Sequence, residues 1–362
     1  MAEARAAVFA GPGEPLRLES FPLPRPGSSQ LLVRVRCSSI CGSDLHTYQG
    51  RRQTPTPTIL GHEILGEVLE VGPGPPVRTL DGEAVGVGDR ISWSIAASCG
   101  QCFFCRHSLP QKCERLFKYG HESLRPDHLF NGGLAEVCHL IAGTPVVSIP
   151  EGLPDEVACP ANCATATVMA AMRAGGGCRG EIVLIQGAGM LGLTACALAR
   201  SRGASRIIVC DIDESRLKQA ERFGASHCVA VGEGPEMLAR TVKEISRGRG
   251  VDLALELSGA ASAMAAAVPL LRTGGRYVLV GAVFPSSPLS LDPERVVRGW
   301  LQIRGVHNYA PQDLSAAVTF LEQHHTRFPF SELLTRMFPL TQVSRAFQYA
   351  VDSRALRVGI RP

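Results

Sequence analysis

The sequence predicts an α/β protein of two parts: a β-rich domain with long loops, then a doubly wound parallel sheet. Two observations carry this. Residues 1 to about 152 hold short apolar runs broken by Gly and Pro, the texture of an all-β domain. From about residue 153 apolar strands alternate with helical stretches, which implies a parallel sheet covered on both faces. A chain of 362 residues also suits two cores better than one.

In chain order, the first part has strand-like runs at 31–36, 64–71 and 137–141. Gly72, Pro73, Gly74, Pro75 and Pro76 form a breaker cluster that reads as an exposed loop. In the second part the strand Ile182–Gln186 runs into the loop Gly187-Ala188-Gly189-Met190-Leu191-Gly192, followed by an Ala/Leu-rich helix ending near Arg202 and Gly203. A strand at 206–210 leads to Asp211, an amphipathic stretch at 215–223 follows, and further strands lie at 251–256 and 276–281.

Composition narrows the function. Hydrophobic residues make up 45% and charged residues 19%, as in a packed globular protein. The formal charge of +4 has no clustered basic tract, which argues against nucleic acid or an anionic membrane as partner. The start, MAEARAAVFAGPG, lacks the pattern of a secretory signal, and no run approaches the ~18 apolar residues of a membrane span. A cytoplasmic protein is expected, and there clustered cysteines bind metal more often than they pair. Of thirteen cysteines, Cys37, Cys138, Cys178, Cys196, Cys210 and Cys228 lie mostly among apolar neighbours and read as small hydrophobes.

Cys99, Cys102, Cys105 and Cys113 have the count and spacing of a closed tetrahedral zinc site, which is structural because no position is left open. Cys41 and His62 are the ligand types of an open, catalytic zinc. Removing a hydride from an alcohol carbon requires the hydroxyl proton to leave, and zinc stabilises the resulting alkoxide. Ser43 is then placed to carry the proton and His46 to pass it to solvent. The glycine loop follows a strand and opens a helix, so it suits a dinucleotide pyrophosphate at a helix N-terminus. Asp211, 19 residues after Gly192, is placed to accept from ribose hydroxyls and repel a 2′-phosphate, favouring NAD over NADP.

These residues resemble the zinc-dependent medium-chain alcohol dehydrogenases over nearly the whole chain, through Gly61-His62-Glu63-x2-Gly66-x5-Gly72, the four-cysteine lobe and the glycine loop. The resemblance implies a GroES-like catalytic domain, 1–152 completed by 304–362, around a Rossmann domain, 153–303. It implies two zinc ions per chain, with Cys41, His62 and Cys163 holding the catalytic one and Asn162 the neighbouring alternative to Cys163. Glu63 would lie behind that metal or exchange onto it. Thr167, Gly281, Ala282 and Val283 would line the nicotinamide site, Arg357 would reach the pyrophosphate, and Arg216 would join Gly187, Gly189, Met190, Leu191, Gly192 and Asp211 at the cofactor. A homodimer or homotetramer joined through the Rossmann domains is implied.

A finer likeness, in segments 109–113, 118–122 and 162–167, is to alcohol dehydrogenase-like proteins associated with phosphonate catabolism. The expected activity is hydride transfer between a primary or secondary alcohol, neutral or anionic, and NAD(H), giving the aldehyde or ketone. Lys118 or Arg125, with His121, would face an anionic end of the substrate; the other reading is that these charges, partly offset by Glu122 and Asp127, cover a solvated loop. Two rivals are a zinc-free enoyl or quinone reductase and a non-catalytic NAD-binding redox sensor. Neither has a use for Cys41, His62 and the four-cysteine lobe together.

Overall fold

The computed structural model describes residues 2–232, 234–285 and 287–362. Two compact units emerge, one of Met1–Ala166 with Ala310–Pro362 and one of Thr167–Tyr309. Residues 153–166 belong by their contacts to the first unit.

The first unit is built on a seven-stranded sheet. Its central strands Leu31–Ile40 and Glu63–Val71 run antiparallel, with Ser39 opposite Glu63. The C-terminal strand Arg357–Arg361 inserts on the other side of Leu31–Ile40, with Val358 opposite Ile40. This non-local pairing brings Ser39, Glu63 and Arg357 to one end of the sheet. The inward faces are apolar, from Val33, Ile64, Ile91 and Trp93 on one side and Leu32, Ile40, Val358 and Ile360 on the other. A two-residue ladder, Ala96–Ala97 with Phe117–Lys118, brackets the four-cysteine lobe.

The second unit holds six strands, all parallel, in the order His227–Ala230, Arg206–Asp211, Ile182–Gln186, Val251–Glu256, Leu271–Leu279, Gln302–Gly305. The chain order reverses direction beside Ile182–Gln186, where open α/β sheets bind ligands beyond the carboxyl ends of their strands. Leu184, Ile208 and Ala254 are fully buried, as a doubly covered sheet requires. Among the described residues no helix is long and apolar enough to cross a membrane.

Candidate active site

The catalytic ligand set is assembled by a short helix, Gly42–Tyr48, whose N-cap is Cys41. Asp44 accepts the Cys41 backbone N–H at 2.8 Å through Oδ2, closing the helix start. Its other oxygen lies 3.1 Å from His62 Nδ1 and also accepts the Gly61 N–H at 3.3 Å. With Nδ1–H donated to Asp44, the lone pair of His62 stands on Nε2, the tautomer a metal needs. Ligand atoms of Cys41, His62, Glu63 and Cys163 all lie within 4.8 Å of one another. The Ser43 hydroxyl is 3.3 Å from His62 Nε2, beside that cluster.

Cys41 and Cys163 share a hydrogen bond that holds the Cys41 thiol well below its ordinary range, against burial and aided by Arg357. The same bond, with burial, holds the proton on Cys163. Asn162, the alternative ligand, is engaged elsewhere. Its amide nitrogen donates to the carbonyls of His62 (3.0 Å) and Trp93 (2.9 Å), and its oxygen accepts the Ile64 N–H at 3.3 Å.

Arg357 departs from expectation. Its guanidinium is buried and faces Glu63, with Nε to Oε2 at 2.7 Å and Nη2 to Oε1 at 2.9 Å. Nη2 also lies 3.4 Å from Cys41 Sγ, and Nη1 donates to the Leu356 carbonyl at 2.8 Å. The strand register explains this, since Arg357 immediately precedes Val358, whose partner Ile40 immediately precedes Cys41. Ser39 donates its hydroxyl to the same carboxylate. Burial raises the Glu63 carboxyl, while Arg357 opposes that rise.

The four-cysteine lobe folds tightly. Sγ atoms of Cys99, Cys102, Cys105 and Cys113 are all within 4.8 Å of one another, with Cys102 3.4 Å from Cys105 and 3.9 Å from Cys113. A tetrahedron of thiolates at ~2.3 Å from zinc has edges of about 3.8 Å, so the donor set fits the metal. Backbone N–H groups of Cys99 and Arg115 point at Cys113 Sγ, both at 3.3 Å. The Gln101 backbone N–H, then Arg115, bring the Cys99 thiol down to about 6, the thiolate form that metal binding requires.

In the second unit a cavity of about 450 Å³ is lined by Gly187, Gly189, Asp211, Ile212 and Arg216, among others. Gly187 has φ +98°, a conformation reserved for glycine, and a Cβ on Gly192 would stand 1.8 Å from the Gly187 carbonyl oxygen. A Cβ on Gly189 would meet nothing within 4 Å, so the loop backbone is open to the cavity there. That is the approach a pyrophosphate needs. Asp211 is held by two N–H groups, Ala188 to Oδ2 at 2.6 Å and Asp213 to Oδ1 at 2.9 Å. Met190 and Gly192 are buried in the first turn of the helix Met190–Ser201. Gly281, Ala282 and Val283 follow the strand Leu271–Leu279 and lie outside the lining of this cavity, and Thr167 sits in the helix Ala164–Ala174.

The alcohol dehydrogenase GroES-like domain family matches residues 27–151, and the zinc-binding dehydrogenase family matches residues 191–323. An L-threonine 3-dehydrogenase of Sinorhizobium medicae is 32% identical over 311 residues, covering 84% of this chain and 83% of its own. The chain belongs to the zinc-binding medium-chain alcohol dehydrogenase family. An L-threonine 3-dehydrogenase of Coxiella burnetii is 29% identical over 351 residues, 96% of each chain. Among solved structures, an alcohol dehydrogenase of Thermotoga maritima is similar at TM-score 0.94 and 30% identity, covering 100% of both chains. A benzyl alcohol dehydrogenase of Acinetobacter calcoaceticus reaches 0.84 at 25% identity, covering 100% of this chain and 99% of its own.

This zinc-binding dehydrogenase is therefore an oxidoreductase of CH–OH groups, with a structural and a catalytic metal site. Asp44 is the functional residue that spacing alone does not single out. Its one signal is its place three residues after Cys41, where an acidic side chain closes a helix start.

Around His62 lies a further set of groups. The His121 ring is 5.2 Å from the His62 ring, and His121 Nδ1 lies 2.9 Å from the Tyr119 carbonyl. Burial, then Lys118, holds His121 well below its ordinary range and hence neutral. Burial, then Arg52, pushes the Lys118 ammonium down to about 8. Arg125 instead points outward, exposed, 3.8 Å from Asp127.

Proposed function

We propose that this chain oxidises a primary or secondary alcohol with NAD+, giving the ketone or aldehyde, NADH and a proton, at a zinc held by Cys41, His62 and Cys163. The observation that carries the reading is the convergence of those three ligand atoms with the Ser43 hydroxyl beside His62 Nε2. When bound there, zinc supplies the Lewis acidity that lowers the pKa of the substrate hydroxyl. The chain's own groups do the rest. Asp44 fixes the His62 tautomer. The Ser43 hydroxyl relays the substrate proton, accepting it as it gives up its own, and His46, five residues after Cys41 on the same short helix, passes a proton to solvent. Glu63, bonded to Arg357 and Ser39, holds the Arg357 guanidinium against the Cys41 sulfur.

Asp211 reads the adenosine ribose and disfavours a 2′-phosphate, with Arg216 on the same cavity. Thr167, Gly281, Ala282 and Val283 serve the nicotinamide end. A cytoplasmic location suits a chain whose thirteen cysteines are all free thiols, and a homodimer or homotetramer is the assembly the family resemblance implies. The L-threonine 3-dehydrogenase relatives direct attention to secondary alcohols that carry a charged group. The likeness to phosphonate-associated proteins enters as one arm of a substrate panel.

The test is NADH formation by zinc-loaded protein across neutral, carboxylated and phosphonated alcohols. Turnover of at least one alcohol, lost in Cys41→Ala, supports the reading. Full turnover by Cys41→Ala would overturn it.

A further inference from the structure

Two cations stand beside the catalytic ligand set with no salt bridge among the described residues. Lys118 is carried there by its backbone. Its neighbour Tyr119 donates its N–H to the Ile95 carbonyl at 2.9 Å, and a Cβ on Gly120 would come within 2.6 Å of the Gly61 carbonyl oxygen. The segment thus lies directly on the residue before His62. Arg52 arrives from the other side. The N–H groups of Arg51 and Arg52 both donate to the His46 carbonyl, at 2.8 and 3.1 Å, tying Arg52 to the end of the helix that Cys41 caps.

Both side chains are half-buried, and among the described residues neither makes a salt bridge or a side-chain hydrogen bond. Glu122, the nearest acid in sequence to Lys118, turns Oε1 to the Lys118 backbone N–H at 3.0 Å. The groups that face Lys118 are the Cys163 and Cys41 sulfurs, which become thiolates when they hold a metal, and Arg52 faces Asp44 and the same two sulfurs. A metal bound by those thiolates takes up their charge, leaving two partly desolvated cations in need of an anion. Half-buried charges without a counter-ion are costly, which gives an incoming anion its advantage.

We propose that Lys118 and Arg52 form an oxyanion pole that selects alcohols bearing a carboxylate. The inference rests on the zinc and NAD reading above and adds the class of substrate. Lys118 contributes a point charge and Arg52 a planar fork, both suited to a carboxylate. His121 takes no part, because its Nδ1–H is already given to the Tyr119 carbonyl. Arg125 takes no part because it faces solvent and Asp127.

The test is calorimetric titration of zinc-loaded protein with butyrate and with butyramide, its neutral match. Wild type should bind butyrate more tightly. Lys118→Met, which keeps the apolar stem, should cut that preference about tenfold or more, as should Arg52→Gln, and Lys118→Arg should restore most of it. Propylphosphonate should show the same dependence on Lys118. Thermal melts check that each variant is folded. Equal binding of butyrate and butyramide by wild type, or a preference that survives both Lys118→Met and Arg52→Gln, would overturn the proposal. The two readings fail separately. If no alcohol is oxidised while the Lys118-dependent preference holds, the dehydrogenase reading falls and the anion pole stands. Oxidation of neutral alcohols without any butyrate preference has the reverse meaning.

Discussion

Asp44 shows how much of the chemistry rests on a single carboxylate. It accepts from Cys41, Gly61 and His62, so one residue orients two ligand-bearing segments. Asp44→Ala should lower affinity for the catalytic zinc by about 10–100-fold, the usual cost of removing a group that orients a metal-bound imidazole. Competition with a chelator reads this directly, and the four-cysteine zinc should be unaffected. At the cofactor cavity, Asp211→Ala should weaken NAD binding by ~1.5–3 kcal/mol and relax discrimination against NADP. Unchanged cofactor preference would mean that another group reads the ribose. Asp213 is poorly placed for that role, since its carboxylate accepts the Ser215 N–H at 2.9 Å and the Arg216 N–H at 3.3 Å.

At the scale of elements, Asp213 is the N-cap of the helix Glu214–Arg222, and Asp213→Ala should cost about 1 kcal/mol. The Ser215 hydroxyl bond, first among its causes, lowers the Asp213 carboxyl. A lowered folded pKa means the contribution is present at neutral pH and fades as pH falls through that value. Urea melts of wild type and Asp213→Ala should therefore differ steadily at neutral pH and converge below about pH 4. Most elements of the second unit were legible because each strand is a short apolar run followed by a helix: Ile182–Gln186 and Val251–Glu256 fall where the pattern puts them. The strand Leu271–Leu279 starts earlier than its apolar run, because Gly274 and Gly275 read as breakers yet lie within the strand. The pairing of Arg357–Arg361 with Leu31–Ile40 joins chain segments remote in sequence, which no local pattern encodes. For the same reason Cys41, His62 and the four-cysteine lobe were legible from residue type and spacing and Cys163 only through the family resemblance, while the Glu63–Arg357 pair was not legible at all.

At the scale of the whole molecule, the two metal sites should behave differently when removed. Cys102→Ser opens the four-cysteine lobe, and because a structural zinc contributes folding free energy directly, the melting temperature should fall. Cys41→Ala should remove turnover with little change in melting, since Cys41 caps one short helix at a site built for substrate. Equal melting of both variants and wild type would remove the structural role of the lobe. The measurement that bears most directly on the central claim joins metal content to chemistry: zinc per chain after gel filtration, with NADH formation from an alcohol measured on the same samples. Wild type should carry two zinc ions per chain, one for each ligand cluster, and Cys41→Ala should carry one and form no NADH. A wild-type protein that forms NADH with no zinc bound, or a Cys41→Ala variant that turns over at the wild-type rate, would contradict the account.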